Sequence, residues 1–338
     1  MKKFLLPENG QFYKANLHCH STLSDGGLTP AELKKIYTEK GYSIIAYTDH
    51  NILIPHKDLN DENFLALHGF EFDFKEDGID SHYAKSCHIC FVAPDPDYTI
   101  QPPASEYTLN TASQYFDEVV YDKTEPAFTR EYSTENINFL MQRYRDKGFF
   151  ITYNHPTWSG ESYPQYCSYK GMHAFEIHNT ISFTTGYVDY NPRVYDDILR
   201  NGNHIFAIAA DDNHNLGTPN TTSWDSFGGF IMIKAEKLDY PTIMNALFKG
   251  EFYASQGPQI HSLWVEDGIA HITCSKAKSV YCGSGQRYQR GIHAEEGEYL
   301  TEATFDVQTW DKYVRFTVVD ENGKHADTNA YLVKDILK

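Results

Sequence analysis

Short apolar runs punctuate this 338-residue chain, and histidines or carboxylates recur at or beside their ends. The first run closes on His18-Cys19-His20, with Ser24-Asp25-Gly26 just beyond. Later runs reach Thr48-Asp49-His50, Gly69-Phe70-Glu71, Cys87-His88-Ile89, Asn154-His155-Pro156 and Asp211-Asp212-Asn213-His214. Imidazoles and carboxylates at so many strand ends demand a fold that gathers those ends on one rim. They predict a metal-dependent enzyme with its site there.

Helix signals lie between the runs. Thr29-Pro30-Ala31-Glu32 is a capping box with proline at the first helical position. It opens a helix through Leu33, Ile36 and Tyr37 that stops at Gly41. Ser43 to Tyr47 reads as a buried strand delivering Asp49 and His50. Strands are expected over 64–72 and 89–93. The interval between them is too short and too charged for a crossover helix, so a hairpin or irregular connection is expected there. Ser133 or Thr134 caps a helix carrying Ile137, Leu140, Met141 and Tyr144 and ending at Gly148. Strands over 149–153, 174–177 and 205–209 lead to His155, to His178-Asn179, and to Asp212 with His214. A helix over 191–200, a last strand over 230–233 and a closing helix over 240–249 complete the series. Repeated strand-then-helix order predicts a parallel α/β architecture, a distorted barrel rather than an open sheet. The glycine fingerprints of dinucleotide and P-loop sites are absent, which weakens the open-sheet reading.

Residues 94–131, with Pro94, Pro96, Pro102, Pro103 and Pro126 and many tyrosines, read as an insertion or active-site loop. Beyond about Gly257 the pattern turns to strands. Ile260 to Val265 and Ala270 to Cys274 flank the turn Glu266-Asp267-Gly268. Tyr313 to Val319 and Ala330 to Val333 flank a turn containing Asn322-Gly323. This predicts a first domain over 1–256 and a small antiparallel β-sandwich over 257–338.

The formal charge of −17 argues against an extended nucleic-acid surface. It leaves room for a nucleotide in a pocket where cations supply positive charge. The apolar start Phe4-Leu5-Leu6 is broken by Pro7 too early for a signal peptide, and no run approaches the length of a membrane span. Six scattered cysteines make no disulfide scaffold. A cytoplasmic protein with reduced thiols and no membrane partner is expected.

Residues two apart on a strand face the same side, so His18 and His20 can share a site while Cys19 turns away to pack. Asp212 and His214 repeat that spacing. Imidazoles suit zinc, iron or manganese, and carboxylates can bridge cations. Taken singly, each histidine is more often an ordinary packed or solvated side chain; the joint pattern carries the reading. Cys87 and Cys90 form a Cys-x-x-Cys pair, but residues three apart on a strand face opposite sides and no second pair exists.

The series His18-x-His20, Ser24-Asp25-Gly26, Thr48-Asp49-His50, Gly69-x-Glu71, His88, His155 and Asp212-x-His214 resembles the polymerase and histidinol phosphatase (PHP) superfamily over about residues 14–255. The resemblance implies a distorted (β/α)7 TIM-like barrel with two or three divalent ions, Zn, Mn or Fe. It implies hydrolysis of a phosphomonoester or phosphodiester in a small phosphorylated metabolite or nucleotide by metal-activated hydroxide. One ion would be held by His18, His20, Glu71 and Asp212, and a second by Glu71, His88 and His155. A third would use Asp25, His50 and His214. Some members have histidine where this chain has Asp25, which changes the charge and metal preference of that third position. The β tail resembles the C-terminal module of bacterial PHP-type phosphoesterases.

In this frame His214 or His178 supplies a proton to the leaving oxygen. Asn179 faces substrate, Lys85 and Arg130 grip a second phosphate or a carboxylate, and Asp49 is a hydrogen-bond partner of a ligand. Two other readings compete. An amidohydrolase also uses His-x-His on a barrel, but Thr48-Asp49-His50 and Asp212-x-His214 weigh against it. A non-catalytic, metal-stabilised binding module is disfavoured by the complete ligand series.

Overall fold

The computed structural model of the chain describes residues 2–80, 82–101, 115, 118–125 and 128–337. In chain order, β1 (Lys2–Phe4) and β2 (Gln11–Asn16) precede α1 (Pro30–Glu39) and β3 (Ile44–Tyr47). β4 (Leu65–Lys75) and β5 (Ser86–Val92) follow, then the short β6 (Ile100–Gln101) and β7 (Val120–Tyr121). α2 (Thr134–Asp146), β8 (Phe150–Tyr153), α3 (Tyr163–Ser168), β9 (Ala174–Asn179), α4 (Thr180–Thr184), α5 (Pro192–Arg200) and β10 (Phe206–Ala210) complete the alternating part. β11 (Phe230–Ala235), α6 (Tyr240–Lys249) and β12 (Phe252–Ser255) lead to the strand-rich remainder. That part comprises β13 (Ile260–Glu266), β14 (Ile269–Ala277), β15 (Ser279–Ser284), β16 (Arg290–His293), β17 (Leu300–Asp306), β18 (Tyr313–Val319), β19 (His325–Thr328), β20 (Tyr331–Leu332) and α7 (Val333–Ile336).

Local chemistry accounts for the element ends. The Thr29 hydroxyl accepts from the Glu32 amide at 3.3 Å, while Glu32 accepts from the Thr29 amide at 2.9 Å. This reciprocal cap satisfies two otherwise orphaned groups of α1. The helix then buries Leu33 and Tyr37. Ser133 caps α2, and Gly250 ends α6 in the left-handed region at φ 70°.

One fourteen-stranded sheet runs β10-β9-β8-β5-β4-β3-β2-β11-β12-β19-β18-β15-β16, with β20 also on β18. β2, β3 and β4 are mutually parallel, as are β8, β9 and β10. β5 lies antiparallel between β4 and β8, so β4 and β5 are a hairpin. The reversal matters for the site. Parallel strands present residues at their C-terminal ends, whereas β5 reaches the same rim with its first residues and there presents His88.

A closed barrel is not what these pairings form. β10 and β2 share no ladder. They meet just past their ends, through the parallel bridge Cys19–Asn213 and the bonds His20 N to Asn213 O at 3.1 Å and Asp212 N to His18 O at 2.9 Å. Asn16 adds a side-chain clasp, accepting from the Asp211 amide and donating to Asn213, each at 3.1 Å. The sheet therefore curls so that its edge strand β10 lies beside β11 and β12 and meets the residues after β2 at the rim. Its main core includes Leu17, Ile44, Leu67, Phe72, Ile89, Ile151, Phe175, Ile208 and Ile231.

A second core lies between the strand-rich remainder's two sheets. β1, β13, β14 and β17 make a four-stranded sheet. Leu263, Val265, Ile272 and Phe305 from it pack with Val280, Val314, Phe316 and Val318 of the large sheet. The chain's first strand thus pairs with β13 and belongs to this layer. The turn at Asn322-Gly323 joins β18 to β19, so the partner strand is His325–Thr328; the later stretch expected there forms β20 and α7. Of the proline-rich insertion, Gln101 is buried and accepts from the Leu53 amide at 2.8 Å, while Pro102, Pro103 and Pro126 lie outside the described residues. All six cysteines are free and buried. Among the described residues no helix is long and apolar enough to cross a membrane.

The two parts are tied by a buried ion pair. Arg315 of β18 forks onto Asp196 of α5, with both contacts at 2.9 Å, and the Tyr313 hydroxyl donates to the same carboxylate at 2.9 Å. Breaking a buried pair leaves an uncompensated charge. Asp196→Ala is expected to lower stability by about 3 kcal/mol in urea unfolding; an unchanged midpoint would contradict this role for the pair.

Candidate metal centre

Glu71 stands near the middle of β4 and is fully enclosed. Its Oε1 lies 3.1 Å from His18 Nε2, 3.1 Å from His88 Nδ1 and 3.4 Å from His155 Nε2. Its Oε2 lies 3.4 Å from His20 Nε2 and 3.2 Å from His50 Nδ1. Asp212 Oδ1 is 3.1 Å from His18 Nε2 and 3.0 Å from His20 Nε2, and these two nitrogens are 3.2 Å apart. Further out, Asp25 is 3.5 Å from His50 Nε2 and 3.4 Å from His214 Nε2.

The spacing fits bound cations. A metal about 2.1 Å from each donor sets neighbouring donors about 3.0 Å apart at right angles and about 3.4 Å apart at tetrahedral angles. The contacts around Glu71 and Asp212 fall in that range. Asp212 Oδ1 is buried and, among the described residues, meets no hydrogen-bond donor in bonding geometry, although two imidazole nitrogens lie within 3.1 Å. A buried carboxylate oxygen left in that state calls for a cation. Among the described residues, donor atoms close enough to share an ion form four groups. They are His18, His20, Glu71 and Asp212; Glu71, His88 and His155; His20, Asp25, His50 and His214; and His18, His155 and Glu176.

Without cations, the charges must answer one another. Burial alone would raise the Glu71 pKa, but His18, His88 and His155 outweigh it and hold the carboxyl well below its usual range. Burial likewise works against protonating His155, yet Glu71, Asp212 and Glu176 push its pKa up to about 9. His18 and His20 are raised well above the ordinary imidazole value by the same carboxylates, against their burial. His50 goes the other way, to about 4, through burial and the nearby His20.

A layer of hydrogen bonds aims the donors. Glu176 Oε1 is 3.1 Å from His18 Nδ1, which assigns the proton to Nδ1 and leaves the Nε2 lone pair facing the site. Its Oε2 accepts from the His155 amide at 3.0 Å and from Asn179 at 2.9 Å. Asn154 donates to Glu71 at 3.1 Å, and Asn179 donates to Asp212 at 3.1 Å. Asp225 holds the amides of His214 and Asn215 at 2.8 and 3.1 Å. Asp211, whose pKa burial pushes up to about 6, clamps the amides of Phe227, Gly228 and Gly229. His155 and Asp212 have φ of 24° and 52°, a region that non-glycine residues seldom occupy. The loop after His155 is anchored by Glu161, which accepts from Tyr132 at 2.8 Å and from Tyr153 and Tyr169.

The residues singled out in the sequence divide between the cavity and its supports. A cavity of about 490 Å³ is lined by Asp25, His50, Glu71, His88, His155, Asp212 and His214, together with Asp73, Lys75, Ser86, Trp158, Ile181 and Tyr187. Asn179 supports Asp212 and caps α4 rather than lining the cavity. His178 commits one ring nitrogen to Gln256 at 2.6 Å and the other to Thr180 at 3.2 Å, and burial lowers its pKa to about 3. Arg130 lies beneath the wall, bonded to Asp73 and Asn51 at 2.7 Å each. Lys85 closes the hairpin through backbone bonds with Glu76. Asp49 accepts from the Ser21 amide at 2.8 Å and the Ser24 hydroxyl at 2.6 Å, shaping the turn before Asp25.

Glu176 is not among the residues that the strand-end pattern singles out. Its signal was present: an acid inside the apolar run Phe175-Glu176-Ile177 needs a buried partner. Lys75 lines the cavity too, although nothing in its local pattern distinguishes it from a solvated strand-end lysine.

The chain matches no protein-family model and no curated sequence. It is similar to solved structures. One is a two-domain protein of Bacteroides vulgatus containing a predicted PHP-like metal-dependent phosphoesterase, with a TM-score of 0.45 and 13% identity over 98% of both chains. Another is a proposed metal-dependent phosphoesterase of Bifidobacterium adolescentis, with a TM-score of 0.37 and 16% identity over 64% of this chain and 91% of the other. Likenesses this distant carry no argument about function; the donor geometry does.

The raised imidazoles make metal binding a proton exchange. Below its pKa an imidazole holds a proton that competes with the cation, and above it the lone pair is free. At pH 7, with the His155 pKa at about 9, calorimetric titration of Mn²⁺ into metal-depleted protein should release protons, seen as heats that differ between buffers of different ionisation enthalpy. Affinity should rise from pH 6 to about pH 9. Buffer-independent heat with a flat pH profile would contradict the charge assignment.

Proposed function

We propose that this chain is a PHP-type metal-dependent phosphoesterase that hydrolyses a phosphomonoester or phosphodiester in a small phosphorylated metabolite or nucleotide. The observation that carries the reading is the sharing of one buried carboxylate, Glu71, between two donor groups that open on a cavity. In this reading residues 1–256, apart from the first strand Lys2–Phe4, carry the reaction on a distorted (β/α)7 framework, and residues 257–338 with that strand form a β-sandwich that braces it.

Zn, Mn or Fe held by these residues would neutralise phosphate oxygens and acidify a water toward neutral pH. We assign one ion to His18, His20, Glu71 and Asp212 and a second to Glu71, His88 and His155. A third is assigned to Asp25, His50 and His214, with His20 beside them. The carboxylate of Asp25 shifts that outer position toward harder cations.

The protein's own groups hold the arrangement. Glu176 fixes the His18 tautomer, while Asn154 and Asn179 fix the Glu71 and Asp212 carboxylates. The preorganised donors need no reorganisation as charge develops. His214 lines the cavity, and its Nδ1 sits 3.0 Å from the Asp212 carbonyl. We assign to it the proton for the leaving oxygen when its Nε2 holds no cation. His178 has both ring nitrogens engaged elsewhere.

Phosphate release from aryl phosphates, nucleotides and cyclic phosphodiesters tests the reading, using metal-depleted protein with and without Mn²⁺, Zn²⁺ or Fe²⁺. Turnover restored by metal and abolished in Asp212→Ala is expected. His214→Ala should lower kcat about 100-fold, the size of a lost general acid, and His178→Ala far less. Activity that survives Asp212→Ala, or amide hydrolysis in place of phosphate release, would contradict the assignment.

A further inference from the structure

Alternate residues of a strand share a side, so β4 sets Glu71, Asp73 and Lys75 in a row, and all three line the cavity. Across the hairpin Cys90, His88 and Ser86 stand opposite them in register. The row runs from the donors at Glu71 outward to Lys75, roughly 13 Å along the strand.

Charge along this row is uneven. Glu71 is enclosed by imidazoles. Asp73 accepts from Arg130 at 2.7 Å and from Asn51 at 3.3 Å, and the Arg130 guanidinium lies over the Phe72 ring at 3.9 Å. Asp73 therefore neutralises Arg130, which does not line the cavity. Lys75 is half-buried in the wall, and among the described residues its ammonium has no hydrogen bond or ion pair. His82 beside it is exposed and pairs with Asp80 at 3.0 Å. Elsewhere Trp158, Ile181 and Tyr187 give the wall apolar surface, interrupted by Ser86, Ser159 and Thr185. Trp158 stands edge-on to His88 and His155 with ring centroids 5.1 and 5.0 Å apart.

We propose that Lys75 recognises a second anionic group, a carboxylate or a further phosphate, on the organic part of the substrate. The substrate class is then a phosphoester whose alcohol portion has an apolar face and a distal anion roughly 7–13 Å from the hydrolysed ester, the span between the levels of His88 and Glu71 and that of Lys75. This rests on the phosphoesterase reading above. An unpaired ammonium beside apolar surface is a favourable partner for such an anion.

The test uses the full chain loaded with Mn²⁺ and three esters: phenyl phosphate, 4-carboxyphenyl phosphate and 1,4-phenylene bisphosphate. The readout is the preference for each anionic ester over phenyl phosphate, as a ratio of kcat/KM values, which general damage to the site leaves in place. The wild type should prefer at least one anionic ester by about tenfold. Which one it prefers distinguishes carboxylate from phosphate. Lys75→Ala should erase the preference, Lys75→Arg should keep it and Lys75→Glu should reverse it. A preference that is equal in wild type and Lys75→Ala, or absent from both, overturns the proposal. Should none of these three esters be turned over, the phosphoesterase reading is decided by the nucleotide and cyclic-phosphodiester panel above, while the subsite is still tested by binding. Phenylphosphonate and 4-carboxyphenylphosphonate should then differ in Kd in the wild type and not in Lys75→Ala; equal Kd values in both proteins would end the proposal.

Discussion

Glu71 is a buried carboxylate with ring nitrogens of His18, His20, His50, His88 and His155 within 3.1–3.4 Å. Asp212 and Glu176 bring two further buried carboxylates to the same few side chains. A dry interior tolerates such groups only when positive charge stands among them. Protons on the imidazoles can supply it, and so can cations. The orphaned Asp212 oxygen and the ring nitrogens turned toward it favour cations. Much of the molecule can be understood as the means of holding these donors still.

The backbone carries part of that work. Asp212 and His155 adopt left-handed conformations that neither residue prefers, and each is held there by a backbone bond into the site. The antiparallel turn of β5 brings His88 to the rim from the opposite chain direction. The seam between β2 and β10 closes only at the donors, where Asn16, Tyr37 and Asn213 cross-link it. Polar contacts take over at this seam, where no ladder joins the two strands.

Several of these features were legible in the sequence because they are local. The capping box at Thr29, the hairpin around Asp267-Gly268 and helix Tyr240–Lys249 follow from neighbouring residues alone. His18 and His20 were readable as a pair because strand geometry fixes which residues share a face, and the structure gathers them with Glu71 and Asp212. Long-range pairing was not legible. Nothing near Lys2–Phe4 says that it will join β13, and nothing near Arg130 announces Asp73. The barrel expected from strand–helix alternation became a curled sheet with an open seam, since alternation does not encode whether the last strand pairs with the first. Glu176 was readable in principle, from the cost of burying an acid in an apolar strand, but its partners His18 and Asn179 lie on different segments.

The most direct test of the account is the metal content of Glu71→Gln beside the wild type, measured by elemental analysis after Mn²⁺ loading and desalting, with folding checked by circular dichroism. Glu71 belongs to both inner donor groups, so its loss should cost more than a single-site ligand would. The account predicts two or more equivalents in the wild type and at most one in a folded Glu71→Gln protein. Equal metal content in the two proteins would contradict the central place given to Glu71.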